Sequence, residues 1–219
     1  MKKFELEKIT KNLIETFIIS GDRAIELRNR GLITQIKSDK TPVTNGDIEV
    51  DKLIKEKILS ITPNIPIISE ETVNLNHKNT NKNFWLIDPI DGTSDYINNK
   101  DEFTLNAALI FNLEPILGII YAPAKKRLFY SYGNGNAYEE SENNKIILNC
   151  KKKNKSKKII AVSNSSKPSE EIINIHKKFM VDKFINMRSS YKFCVIASGE
   201  YDLYVAKARS FEWDIAAGH

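Results

Sequence analysis

Cysteine is nearly absent. Cys150 and Cys194 are the two in 219 residues, far apart and outside any Cys-x-x-Cys or Cys/His spacing. That argues against a zinc centre and a disulfide framework, and suits a reducing cytoplasm. Long apolar runs are missing as well; the longest are strand-sized, so no segment reads as a membrane span. The opening MKKFELEKIT has the lysines of a secretory leader, but Glu5 and Glu7 interrupt the apolar region a leader needs. No aromatic residue interleaves the lysine run KKKNKSKK at 151–158, which favours a solvated loop over a nucleic-acid platform. Internal repeats are lacking too.

What is present is ordinary for a globular chain: 41% hydrophobic, 28% charged, and a diffuse net charge of +5. Such a composition supports a sizeable core. Phe4, Leu6, Ile9, Leu13, Ile14, Phe17 and Ile18, then Ala24, Ile25 and Leu27, predict a long amphipathic helix, bent near Gly21 and ended by Gly31. A polar loop, KSDKTPVTNGD, leads to a second helix with Ile48, Leu53, Ile54 and Ile58 in step. Thr44 and Asp47 have the spacing of a capping box at its start. IPIIS (65–69) reads as a strand ending on Glu70, and FWLI (84–87) as one ending on Asp88. TLNAALIF, PILGIIYAP, RLFYSY and NAYEE, separated by short polar turns, predict an antiparallel meander. KIIAVS, a helix over about 168–180, a strand near 184–187, a helix from about Ser190 and YDLYV form a second α/β segment. The basic run marks the expected boundary, giving an α+β half over 1–150 and an α/β half over 151–219. A last helix starts at Trp213 close to His219, so the chain reads as a truncated piece.

Acids are placed where chemistry is expected. Glu70, Asp88 and Asp91 stand at or just past the ends of apolar strands, where open sheets place ligands, and Asp214 opens the last helix. Two carboxylates about 4 Å apart repel by roughly 4 kcal/mol at an effective dielectric near 20. Several together therefore ask for a cation. Oxygen donors without histidine or cysteine specify Mg²⁺ or Mn²⁺, and an open acidic magnesium site usually serves phosphoryl chemistry. Gly92 and Thr93 then offer backbone N–H groups to a phosphate. The Thr93 hydroxyl would orient a water if Asp47 takes its proton. Each feature also has a plainer reading: Asp-Pro-x-Asp-Gly as a tight turn, Asp47 as a helix cap, Ser-Glu-Glu at 69–71 as a solvated loop.

DPIDGT with SEE upstream, KSDKTPVTNGD before it and EWDIAAGH at the end resemble the inositol monophosphatase superfamily of magnesium-dependent, lithium-sensitive phosphatases. DEFTLNAALI, PILGIIYAP and SSYKFC are closer to the bacterial 3′(2′),5′-bisphosphate nucleotidases of the CysQ type. The resemblance spans nearly the whole chain, with the motifs in the family's order. It implies a layered αβαβα sandwich (α+β / α/β), with Glu70, Asp88, Asp91, Asp214 and the Ile90 carbonyl as ligands of two or three Mg²⁺ ions, Mn²⁺ being an alternative and Li⁺ inhibitory. Asp47 and Thr93, assisted by Glu70, become the catalytic group. Gly92 and Thr93 bind the scissile phosphate, Ser189, Ser190 and Lys192 face the nucleotide, and Arg209 meets its other phosphate. The implied reaction, in sulfur metabolism, is adenosine 3′,5′-bisphosphate plus water giving AMP and phosphate, with no phosphoenzyme. The implied partner is a small nucleotide bisphosphate, not nucleic acid; peripheral membrane association and oligomeric state stay open.

The chain departs from the family pattern in places. Arg188 stands where Gly usually precedes the serines, either adding a phosphate contact or blocking the pocket. Ala206 replaces a usual Arg, which Lys207 or Arg209 would have to make good. Gly46 replaces the usual Ala before Asp47 and is expected to loosen that helix start. Relatives also continue past AAGH. Three alternatives follow: an inositol or sugar monophosphatase of the same superfamily, a truncated inactive nucleotide-binding remnant, and a nucleic-acid binder using the lysine run.

Overall fold

The computed structural model describes residues 2–37, 40–74, 79–133, 135–141, 144–150, 158–207 and 210–219. Most of the basic run and Arg209 lie outside these residues. Helix α1 (Lys3–Arg30) runs unbroken through Gly21, so the expected bend is not an interruption of the helix. Instead the bare backbone there lets the ring of Tyr121 close in. A ribbon of β1 (Thr34–Ile36) and β2 (Pro42–Thr44), paired antiparallel, leads straight into α2 (Asn45–Ile61). The capping box is present: the Thr44 hydroxyl accepts from the N–H groups of Gly46 and Asp47, and Asp47 Oδ2 accepts from Thr44 N–H at 2.7 Å.

Among the described residues, seven strands form the main sheet, in the order β3-β4-β5-β6-β7-β8-β9. β3 (Ile67–Ser69) is parallel to β4 (Phe84–Asp91). β5 (Thr104–Phe111), β6 (Glu114–Ala122), β7 (Arg127–Tyr132), β8 (Ala137–Ser141) and β9 (Asn144–Ile147) continue as the expected antiparallel meander. Strand alternation divides the side chains between two faces. Trp85, Ile87, Leu105, Leu109, Ile119 and Tyr121 share one core with the buried stripes of α1 and α2. Behind the sheet, Leu86, Ala108 and Ile110 pack on Trp213 and Ala216 around α6 (Glu212–Ile215). Ile120, Ala122 and Phe129 pack on Tyr191, Cys194 and Val195 of α5 (Tyr191–Ala197). A parallel sheet follows, of three strands among the described residues, ordered β11-β10-β12, from β10 (Ile159–Ser163), β11 (Val181–Asn186) and β12 (Leu203–Tyr204). α4 (Glu170–Lys178) joins β10 to β11. The result is the layered αβαβα sandwich. No helix among the described residues is long and apolar enough to cross a membrane.

β4 does not end on Asp88 and no tight turn follows; the strand runs through Pro89 to Asp91. Asp88 pairs with Asn106 and Asp91 with Thr104, with a register shift between. Pro89 and Ile90 are thus opposed by Leu105 alone, which is a β-bulge. Proline fits there because a bulge residue need not donate to the ladder.

Candidate active site

The bulge is what builds the site. On a regular strand, residues three apart point to opposite faces, so Asp88 and Asp91 would be separated by the sheet. One extra residue between them restores a common face. β3 runs alongside β4, and Glu70 N–H extends that pairing by donating to the Ile87 carbonyl at 3.1 Å. Burial of Trp213 against Leu86 seats α6 and brings in Asp214. Glu70, Asp88, Asp91 and Asp214 all line one cleft of about 960 Å³, together with Ile90, Gly92 and Thr93.

Gly92 has φ 90° and serves as the N-cap of α3 (Thr93–Ile97). Only glycine adopts that backbone easily, and a Cβ there would also lie 3.2 Å from the Glu102 carbonyl oxygen. The turn presents the first N–H groups of α3, which have no intrahelical acceptor, at the cleft wall. The Thr93 hydroxyl lies 3.4 Å from Asp47 Oδ1 and 3.1 Å from the Ile90 carbonyl oxygen. Asp47 therefore has two engagements: Oδ2 caps α2, and Oδ1 meets Thr93.

Burial and crowding act on the carboxyl groups together. Asp88 is held well above the usual carboxylate range by burial, then by the charges of Asp91, Glu70 and Asp214. Asp91 is also raised by burial, against the opposing effects of Lys192 and of the Ser190 hydrogen bonds. Burial and the neighbouring Asp91 push Asp214 up to about 6. Burial likewise raises Asp47, and lifts Glu71 to about 7 despite its bond to Lys37.

Some predicted residues stand elsewhere than at the cleft wall. Ser190 is buried and donates both its N–H and its hydroxyl to Asp91 Oδ2. Lys192 is buried too, its ammonium held by the carbonyls of Ser189 at 3.0 Å and Arg188 at 3.1 Å. Ser189 is buried as well, beside Gly92, and none of the three is among the cleft-lining residues. Arg188 is exposed and outside the cleft lining. Lys207 is turned to Glu171, 2.8 Å away. Gly46 does not loosen its helix: a Cβ would sit 2.4 Å from Tyr96 Oη, so its smallness lets Tyr96 pack against the capped start. Lys37 is the group the sequence did not single out. It reaches into the cleft and places its ammonium 3.0 Å from Glu70 Oε1 and 2.9 Å from Glu71 Oε1. Its one signal was its position at the head of the polar loop KSDKTPVTNGD.

Among the described residues, no three carboxylate, imidazole or thiol side chains are gathered closely enough to hold an ion as they stand. Their oxygens are engaged with Lys37, Ser190 and the Phe211 N–H, which donates to Asp214 Oδ2 at 3.0 Å. The donor set nevertheless fits a hard cation in kind. It is all oxygen, it is mutually repelling, and the buried Asp88 leaves Oδ1 with no hydrogen-bond partner. Such an atom is stabilised by a proton or a cation.

The inositol monophosphatase family model matches residues 5–219. The chain belongs to that family. Within it, the chain is 36% identical over 184 residues to the 3′(2′),5′-bisphosphate nucleotidase CysQ of Buchnera aphidicola, covering 84% of this chain and 68% of that protein. With the CysQ nucleotidase of Aggregatibacter actinomycetemcomitans the identity is 30%, over 95% of this chain and 79% of the relative. The crystal structure of CysQ from Bacteroides thetaiotaomicron superposes with a TM-score of 0.74 at 27% identity, covering 98% of this chain and 84% of that one. With named bisphosphate nucleotidases matching over most of its length, this member of the inositol monophosphatase family is a phosphatase.

Proposed function

We propose that the chain removes the 3′-phosphate of adenosine 3′,5′-bisphosphate, giving AMP and phosphate, with Mg²⁺ as its cofactor. The observation that carries this reading is the bulge in β4, which turns Asp88 and Asp91 to one face beside Glu70 and Asp214. Those four side chains and the Ile90 carbonyl would hold the ion. When bound, Mg²⁺ supplies positive charge that lowers the pKa of a water and neutralises phosphate oxygens.

The remaining steps belong to the chain. The N–H groups opening α3 after Gly92 hold the phosphate oxygens. Thr93 Oγ1 takes a proton from the attacking water as its own hydroxyl proton passes to Asp47 Oδ1. Asp47 suits this because burial raises its proton affinity. The substrate class is supported by the CysQ relatives named above.

Phosphate release from adenosine 3′,5′-bisphosphate and from inositol 1-phosphate, measured side by side with Mg²⁺, tests the reading. Faster turnover of the nucleotide is expected. Faster turnover of the inositol ester would overturn the substrate assignment while leaving the phosphatase chemistry.

A further inference from the structure

Asp88 and Asn106 stand directly opposite each other on β4 and β5. Each is only 1% exposed, and each leaves its Oδ1 without a hydrogen-bond partner. They share the sheet face beneath α5 and α6, since the preceding pair on that face, Leu86 and Ala108, packs on Trp213. The amide nitrogen of Asn106 meanwhile makes two long contacts, each 3.4 Å, to the carbonyl and hydroxyl oxygens of Thr104. Two neighbouring buried acceptors with nothing to accept from are unfavourable.

The two ends of a carboxamide are the same size, so a half-turn about its last bond exchanges them. After that exchange, Oδ1 of Asn106 faces the Thr104 hydroxyl, which is able to donate to it, and Nδ2 takes the place of the unpartnered oxygen. One rotation gives up the long contact to the Thr104 carbonyl and places a donor where the orphaned amide oxygen stood, on the residue opposite Asp88.

We propose that Asn106 is a positioning residue for Asp88. Its Nδ2 donates to one carboxylate oxygen and so directs the other into the cleft that Asp88 lines. The inference rests on the metal-dependent phosphatase reading above. A neutral donor is the group this place requires. It steadies a buried carboxylate without cancelling its charge, and the full charge stays available to a divalent ion. An aspartate there would add a further repelling acid, a serine would be too short, and a leucine would fill the space without a donor. Asn106 acts through Asp88 and touches no substrate.

The test compares the full chain with Asn106→Leu and Asn106→Ser, without substrate. Thermal unfolding is followed as Mg²⁺ is titrated, and Mn²⁺ binding is measured by calorimetry. Both variants should need about 10–100-fold more metal than wild type. At saturating metal, KM for adenosine 3′,5′-bisphosphate should stay within about twofold, since Asn106 is not among the residues that line the cleft. Equal metal midpoints in wild type and a folded variant would overturn the inference. So would failure of both variants to fold even in saturating Mg²⁺, which would assign Asn106 to the fold alone. If wild type shows no metal dependence, the Mg²⁺-dependent reading itself fails, an outcome distinct from the others.

Discussion

Thr93 Oγ1 stands 3.4 Å from Asp47 Oδ1, joining the first turns of two helices 46 residues apart in sequence. The contact is too long for a strong hydrogen bond, and the Ile90 carbonyl competes for the same hydroxyl. The hydroxyl can donate a hydrogen bond to either acceptor, but of the two only the Asp47 carboxylate is basic enough to take the proton. Thr93→Val keeps the side-chain shape and removes the hydroxyl. Turnover should fall by about 10²–10⁴-fold with the Mg²⁺ midpoint unchanged, as read from phosphate release and metal-dependent melting. Asp47→Asn should give a similar loss of turnover, with a further cost of up to about 1 kcal/mol from the weakened cap.

Lys37 supplies positive charge between Glu70 and Glu71. Lys37→Met leaves those acids facing each other and the rest of the cluster. Without metal, the variant should melt a few degrees lower, equivalent to about 1 kcal/mol or less for a partly exposed pair. With saturating Mg²⁺ the difference should narrow. A variant as stable as wild type without metal would show that this ion pair contributes nothing.

The acid cluster fixes a pH dependence. Asp214 moves from 3.8 in the unfolded chain to about 6 in the fold. Within that window the folded protein holds a proton that the unfolded chain has released. Stability therefore falls as pH rises through the window. The raised Asp88 and Asp91 act in the same direction. Metal-free protein should lose stability between about pH 4 and pH 6 from Asp214, and Mg²⁺ should reverse the loss increasingly as pH rises, because protons compete for the same oxygens. Urea unfolding across that range, with and without Mg²⁺, checks both signs.

Much of this was legible in the sequence, and the exceptions have physical causes. Helical spacing from Leu6 to Ala24 and polar turns such as Asn112–Glu114 are local signals, so α1 and the meander were readable. So was the Thr44–Asp47 box. The bulge at Pro89–Ile90 was not, because a proline between two acids has the composition of a turn, and only pairing with β5 reveals a strand. Ser190 meets Asp91 across 99 residues of chain, a relation that no local spacing encodes. Gly46 read as a loosened helix start because the reason for it, the Tyr96 ring, comes from α3.

That last contact gives a stability prediction. A methyl at Gly46→Ala would lie 2.4 Å from Tyr96 Oη, and overpacking of this kind costs about 1–3 kcal/mol. Tyr96→Phe alone should cost about 1 kcal/mol, the usual net value of one hydrogen bond, because its hydroxyl donates to the Ala24 carbonyl at 2.6 Å. In the double variant the clash with the hydroxyl is gone, so the combined cost should be below the sum of the two. A double-mutant cycle from urea unfolding measures it.

The most direct measurement concerns Asp91. Phosphate release from adenosine 3′,5′-bisphosphate is followed as Mg²⁺ is raised, for wild type and for Asp91→Asn, alongside the melting temperature of each without metal. Wild-type turnover should rise with Mg²⁺ and that of Asp91→Asn should stay at background. The variant should melt at or above the wild-type temperature without metal, since removing a crowded buried charge relieves repulsion. Unchanged turnover in Asp91→Asn, or wild-type turnover that does not depend on a divalent ion, would contradict the assignment of these acids as the metal site.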